Sequence, residues 1–541
     1  MNSTKLLLHD EARARLLQGT TALADAVRPT LGPRSKCILI AQGWGAPLVC
    51  NDGVTIAKRV HLEDPVQDLG AQVLRQAAEK TGDAVGDGTT TATLLAQALF
   101  AEGLRNVAAG ASAIELKRGI EMGMKAALAA LSELSRPVAS KRERAQVATI
   151  SAHNDPAIGD LVAEAMEKVG PEGVVTVEEA KGTETALECV EGLQFDRGWL
   201  SPYFVTDTAR MEAVLENPLI LIVEKKISSV TELVPVLEQA AQAGRPFLVI
   251  AEDLETEVLA TLVVNKIRGN LHCLAVKAPA YGERRRAILE DIAVLTGATF
   301  VSEDVGAKLS KLGAQDLGTA KRVVVDRQNT TIIGGGGDKT RLEQQRAQLR
   351  REIEECESDY DREKLRDRLA RLTGGVAVIR VGAPSEAEMK NKKEALEDAI
   401  SATKAAVAEG IVPGGGVALL RMVPAVEHIL SECRGDVLTG ARILAASLAT
   451  PARQIALNSG FDGGVVLERL RASSGAQGFD ASTGEYVDLL KAGILDPTKV
   501  VRVALENAVS VASVLLLSEG ALVEVEKPRK PARDPGEPMD V

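Results

Sequence analysis

The hydrophobic period of this chain switches once and then switches back, and that reversal limits the possible folds more than any single motif. Near the start, Ala12, Leu16, Leu17, Leu23 and Val27 recur at helical spacing up to Pro29. Short β-like runs follow at Cys37 to Ile40 and Pro47 to Val49, and helix-period segments then fill Asp64 to Leu134. From Gly192 to about Gly375 the texture is different. The apolar runs Leu219 to Val223 and Phe247 to Ala251 flank a helix carrying Leu233, Val236, Leu237 and Ala240. Strand, helix, strand at this spacing is the βαβ pattern of a parallel sheet. After Gly374-Gly375 comes a strand, Val376 to Val381, then a long helix from about Ser385 to Glu409, and helical texture returns. A chain that leaves one texture and re-enters it places its two ends in one domain and its middle in an insert.

The punctuation suggests that the insertion is nested. Arg136-Pro137 and Gly410 mark an outer pair of crossings, Gly192 and Gly374-Gly375 an inner pair. The expected organisation is a mainly helical domain in two segments, 1–136 and 411–525, and a small hinge domain, 137–191 and 375–410. An α/β domain, 192–374, lies between, and 526–541 is expected to be a disordered tail rich in Pro and charge. The fold class is multidomain, α+β with an α/β insert. Within the insert, Leu342, Leu349, Ile353 and Cys356 form one apolar stripe and Leu365, Leu369 and Leu372 another. The break at Ser358 to Asp361 predicts an antiparallel helical hairpin.

Composition narrows the function. At 541 residues the chain is too long for one core. Aromatic residues make up only 2%, so the cores must be built from Ala, Val, Leu and Ile. That scarcity leaves little for stacking nucleic-acid bases, and a formal charge of −11 disfavours nucleic acids and anionic membranes. The six cysteines form no C-x-x-C pair and the five histidines are isolated, so no disulfide framework or zinc site is indicated and a reducing cytoplasm fits. The N-terminal apolar run is too short for a signal peptide, and no run is expected to approach a membrane span.

Gly86-Asp87-Gly88-Thr89-Thr90-Thr91 joins two helical stretches and carries the clearest chemistry. Glycines let backbone N–H groups approach an oxyanion, and a helix N-terminus holds phosphate oxygens. Asp87 would repel phosphate unless a cation lies between them, which points to Mg²⁺. No Walker-type Lys is present. The plainer alternative is a Gly turn with a Thr helix cap. Thr30-Leu31-Gly32-Pro33 is a second candidate phosphate loop or simply a β-turn, and Gly414-Gly415-Gly416 a third Gly-rich connection. Asn51-Asp52-Gly53 is an acidic turn. Asp496 can accept ribose hydroxyls or cap the next helix, and Asp398 on the long helix reads by itself as a solvated position. In the α/β insert, Trp199, Tyr203, Phe204, Val234, Leu237, Leu259, Val263 and Val264 are either core or, if exposed together, a patch for apolar segments.

Taken in order, these segments resemble the group I chaperonins of the GroEL type over roughly residues 5 to 525. The resemblance rests on LADAVRPTLGP, GDGTTTATLLAQAL, EGLQFDRGWLSPYF, SDYDREKLRDRLARLTGGVAVIRVG, AAVAEGIVPGGGVAL and GILDPTKV. It implies an equatorial ATPase domain, an intermediate hinge domain and an apical domain, in two stacked seven-membered rings closed by a GroES-type lid. It implies ATP and Mg²⁺, and K⁺ held by the backbone at Asn51. It places Thr30, Leu31, Gly32, Pro33, Asn51, Asp87, Gly88, Thr89, Thr90, Thr91, Gly415, Asp480, Ala481, Ser482 and Asp496 around the nucleotide, with Asp87 as the metal ligand. Asp398 matches the carboxylate that positions the attacking water and Asp52 a second acidic group. The eight apolar residues of the insert match the surface that takes non-native polypeptides and the lid. The chain departs from the usual pattern at Asn51, where Lys is common, and at Ala408. It also departs at Asp480-Ala481-Ser482, where Asn-Ala-Ala is common, and in a tail without Gly-Gly-Met repeats. These departures keep a second reading open, a paralogue that holds polypeptides with weak ATPase. A metabolic nucleotide-dependent enzyme is a third class, for which the insert offers no convergent catalytic set.

Overall fold

The computed structural model describes residues 3–41, 47–170, 173–180, 182–208, 210–302, 309, 312–356 and 358–525. The tail at 526–541 lies outside the described residues. The chain divides into two compact units, one of residues 1–163 and 385–541, the other of residues 164–384.

The first unit is mainly helical and is built from both ends of the chain. Strand Ser3–Leu8 pairs antiparallel with Gly520–Val525, which fastens the termini side by side. One core runs through helices His9–Val27, Pro65–Val85, Thr89–Ala108 and Ala113–Leu134 and through Thr498–Leu517 from the far end of the sequence. Its contacts are small: Ala12, Ala24, Ala71, Ala77, Ala78, Ala92, Ala96, Ala508 and Ala512 are all fully buried. With few aromatics, close helix approach through Ala takes their place. Gly19 and Gly70 show how close. A Cβ at Gly19 would lie 1.8 Å from the Gln67 carbonyl oxygen, and one at Gly70 would lie 2.4 Å from that of Leu16.

Helix Thr498–Leu517 corrects one expectation. It is long and apolar enough, by length and composition, to cross a membrane. Its Val500, Val501, Ala504, Leu505, Ala508, Val509, Ala512 and Leu516 are buried against the neighbouring helices, so its apolarity is that of a core helix.

The outer crossing holds together through its backbone. Arg136 N–H donates to the Ile411 carbonyl (3.0 Å), and Ile411 N–H donates back (2.8 Å). Gly410 takes φ 86°, a left-handed conformation suited to Gly. The Ser135 hydroxyl donates to the Glu409 carbonyl at 2.8 Å.

The second unit holds an eight-stranded mixed sheet. Leu219–Val223, Phe247–Ala251 and Cys273–Lys277 are parallel, with helix Val230–Ala243 between the first two, as the βαβ pattern predicts. Gly318–Val325, Thr330–Gly335 and Gly192–Phe195 extend the sheet antiparallel. A smaller sheet joins Val174–Glu179, Val376–Val381 and Ala186–Val190. The predicted hairpin is present as Lys339–Glu355 and Asp359–Gly374, with Ser358 accepting from Asp361 N–H (3.3 Å) to start the second helix.

Candidate functional site

The site is a pocket wholly inside the first unit. Helix Pro65–Val85 ends at Gly86 (φ 68°) and helix Thr89–Ala108 starts at Gly88 (φ 77°). Two left-handed glycines therefore reverse the chain around Asp87. No side chain caps the second helix, so the Thr-cap alternative fails, and its first N–H groups lie without a side-chain acceptor on residues that line the pocket. Helix Val417–His428 begins the same way at Gly416, beside Gly415 at φ 63°. A Cβ at Gly415 would meet only the Phe479 carbonyl oxygen, at 3.8 Å, so it would project into the open pocket.

The hydroxyls and turns are fixed locally. Thr30 Oγ1 donates to the Val27 carbonyl (2.8 Å) and lies 3.0 Å from Thr90 Oγ1. Asn458 Nδ2 donates to the carbonyls of Arg28 (2.9 Å) and Leu31 (2.8 Å), which anchors the Thr30 to Pro33 loop. Asp52 caps helix Gly53–Arg59, accepting from the N–H groups of Val54 (3.3 Å) and Thr55 (2.7 Å). Gly53 fits against the Thr89-Thr90 turn, since a Cβ there would lie 2.3 Å from Thr90 Oγ1.

Five carboxylates line the pocket, those of Asp52, Asp87, Asp398, Asp480 and Asp496, and no Lys or Arg is among its described lining residues. Asp87 accepts from Ser151 Oγ (2.5 Å) and Gly88 N–H (2.5 Å). Burial raises its proton affinity, Asp52 adds to the effect, and those two hydrogen bonds and His153 oppose it. Burial and the charge of Asp87 push Asp496 up to about 7. Asp398 is raised well above the carboxylate range, first by burial and then by Asp87, Asp52, Glu394 and Glu397. A pocket so charged attracts protons or cations. The groups that face it are hard oxygens, carboxylates and Thr hydroxyls, which suit Mg²⁺, together with helix N-termini that suit phosphates.

The structure settles several sequence alternatives. Asp398, on helix Glu386–Glu409, is half-buried in the pocket rather than solvated. Asp496 caps no helix: Thr498–Leu517 starts without a side-chain cap. Asn51 and Ala481 also line the pocket. Asp480 is committed to its own turn, accepting from Ser482 N–H (2.9 Å), Ser482 Oγ (2.5 Å) and Thr483 Oγ1 (3.0 Å). Ala408 is exposed on its helix. Ser151, His153, Phe479 and Ile494 belong to the pocket as well. Sequence reasoning missed them because nothing in their local spacing carries a signal.

The eight apolar residues of the second unit do not behave alike. Tyr203, Val234 and Val264 are exposed at 67%, 37% and 43%. Trp199, Leu237, Leu259 and Val263 are partly buried against the core. Phe204 is corrected: at 1% exposure it is a core residue, turned inward from a three-ten turn while Tyr203 points out. Ile267, exposed at 65% on helix Thr256–Ile267, joins the outward apolar set.

Comparison with known proteins gives two findings. The TCP-1/cpn60 chaperonin family profile matches residues 23–524. Chaperonin GroEL 5 of Bradyrhizobium diazoefficiens is 61% identical over 530 residues, which covers 98% of each chain.

Proposed function

Because this chain belongs to the TCP-1/cpn60 chaperonin family, we propose a division of its chemistry among the residues above. The protein is an ATP-hydrolysing chaperonin that assists protein folding, with the GroEL-type multidomain α/β fold. The observation that carries the proposal for the site is the meeting of five carboxylates with two Gly-started helix N-termini in one pocket.

On this reading the first turn of Thr89–Ala108, the Thr30 to Pro33 loop and Gly415 receive the phosphates through backbone N–H groups and hydroxyls. Asp496 accepts from the ribose, and Asp480, Ala481 and Ser482 border the base. Asp87 holds Mg²⁺, which when bound supplies the positive charge that the pocket's side chains lack; the Asn51 carbonyl serves K⁺. Asp398 orients a water toward the γ-phosphorus and takes its proton as the bond to the bridging oxygen breaks, releasing ADP and phosphate. Burial and its acidic neighbours raise the proton affinity of Asp398, which favours its taking a proton. Asp52, fixed by its two cap hydrogen bonds, is the second acidic group of the site.

The outward apolar residues of the second unit, Tyr203, Val234 and Val264 with the half-buried Trp199, Leu237, Leu259 and Val263, take non-native polypeptides and a GroES-type lid. Apolar contact is non-directional, which suits partners without a common sequence. The three-domain division at 136/137, 191/192, 374/375 and 410/411, two stacked seven-membered rings and a cytoplasmic location complete the proposal. The weak-ATPase holdase is not favoured, since Asp52, Asp87 and Asp398 share one pocket. The deciding experiment measures ATP turnover with and without a GroES-type lid, alongside refolding of an aggregation-prone client. Turnover without any gain in refolding would refute the coupled function.

A further inference from the structure

One titratable side chain in the pocket takes no part in the chemistry above. His153 follows the end of helix Lys141–Ser151, at φ 53°, and Asn154 after it is at φ 65°. Two successive non-Gly residues in the left-handed region cost about 1–3 kcal/mol each. Glycine would make this turn without that cost. The backbone is held there by Asn154 N–H donating to the Thr149 carbonyl (2.9 Å) and Asp155 N–H to that of Ala152 (3.1 Å). The turn therefore fixes the backbone that carries the exposed ring, at a position where a side chain is disfavoured.

The ring is open to the pocket and makes no hydrogen bond or ion pair among the described residues. Asp87 and Asp52 are the charges that act on it, which puts it on the side of the pocket that carries those two carboxylates. Among the described lining residues it is also the one imidazole, in a pocket without Lys or Arg. Its surroundings lower its proton affinity, which favours the neutral ring. A neutral imidazole still offers one N–H donor.

We propose that His153 donates an imidazole N–H to an oxygen of the γ-phosphate of bound nucleoside triphosphate, making it a residue that distinguishes triphosphate from diphosphate. The inference rests on the nucleotide reading of this pocket. A triphosphate brings oxygens next to Asp52 and Asp87 where no side-chain cation meets them. An imidazole N–H, available in either protonation state, holds one such oxygen without competing for the carboxylates. The contact is lost when the γ-phosphate leaves, so ADP is bound without it.

The test is calorimetric binding of a slowly hydrolysed thio-analogue of ATP and of ADP, each with Mg²⁺, to the full chain. His153→Gly removes the ring and relieves the backbone. It should weaken binding of the ATP analogue about tenfold, as expected for a lost hydrogen bond to a charged group, with ADP affinity nearly unchanged. His153→Asn tolerates the left-handed backbone and keeps an N–H donor, so it should recover most of the affinity. His153→Asp has the same shape but only accepts, and it should bind the analogue more weakly than Asn. This pair decides the matter even where the Gly variant does not fold. Equal analogue affinity in Gly and wild type, or in Asn and Asp, overturns the proposal, as does an equal loss for ADP. Failure of the wild-type chain to bind either nucleotide overturns the nucleotide reading itself.

Discussion

Replacing Gly86 by Ala should slow ATP hydrolysis through the helix that carries Asp398. Gly86 is at φ 68°, and a Cβ there would lie 2.4 Å from the Cβ of Ser401 and 2.6 Å from its hydroxyl. Ser401 follows Asp398 by just under one helical turn on Glu386–Glu409. Ordinary contact between carbon atoms needs about 3.5–4.0 Å, so the Gly86 turn and this helix must part by roughly 1 Å. A displacement of about 1 Å in a positioned group can lower a rate about 10²-fold. The left-handed Ala adds about 1–2 kcal/mol of strain, so the variant should also unfold at lower denaturant. Strain and displacement separate in a double variant. Ser401→Gly removes the opposing Cβ at about 1 kcal/mol of helix stability, and Gly86→Ala/Ser401→Gly should recover most of the turnover without recovering stability. Steady-state phosphate release and urea unfolding provide the two readouts. A Gly86→Ala chain hydrolysing at the wild-type rate would refute the reasoning, and so would a double variant as slow as the single one.

Asp398→Ala should keep ATP affinity by calorimetry while turnover falls about 10²–10⁴-fold, and near-normal turnover in an assembled variant removes the assigned role. Val264→Ser should weaken capture of an unfolded client and leave unfolding by urea almost unchanged, because the side chain is exposed at 43%. Phe204→Ser, by contrast, empties a core site and should cost about 3–5 kcal/mol; the opposite ranking would reverse the assignment of surface and core. Glu409 is held below the usual carboxylate range by the Arg502 guanidinium, which donates to it at 2.6 and 2.9 Å. Its contribution is therefore present above the unfolded carboxylate value and fades as pH falls through the lower folded one. Urea midpoints should drop in acid more steeply for wild type than for Glu409→Gln, and parallel curves would count against the pair.

What could be read from the sequence follows the range of the forces involved. Leu219–Val223 and Phe247–Ala251 are continuous apolar runs and Val376–Val381 is one broken only by Arg380, and they are strands at the positions expected. The helix start at Ser385 was legible because a capping Ser acts on its own neighbours, here accepting from Glu388 N–H at 3.3 Å. Gly318–Val325 and Thr330–Gly335 were not read as strands: they pair with each other across a short turn, but their outer partners, Leu219–Val223 and Gly192–Phe195, are distant in sequence. Tyr203 and Phe204 differ by one position and by 67% against 1% exposure, a difference that the turn, not the residue type, decides. Asp398 was the hardest to place. Only the packing of its helix turns it toward Asp87, and the burial that perturbs it comes from that packing rather than from local sequence.

The path of the chain explains why one helix can govern the chemistry. Helix Glu386–Glu409 starts where the chain returns from the second unit and ends at Gly410. That end is fastened three times over. Arg136 and Ile411 exchange backbone hydrogen bonds, Ser135 Oγ donates to the Glu409 carbonyl, and Arg502 grips the Glu409 side chain. Asp398 precedes Gly410 by about twelve residues, a lever of about 18 Å at 1.5 Å per residue. Tilting the helix by only about 3° about its fastened end therefore moves the carboxylate by about 1 Å, the displacement at which a positioned group loses about 10²-fold in rate. On the role proposed for Asp398, the angle of this helix sets the rate of hydrolysis. Its other end is the one by which the chain returns from the second unit.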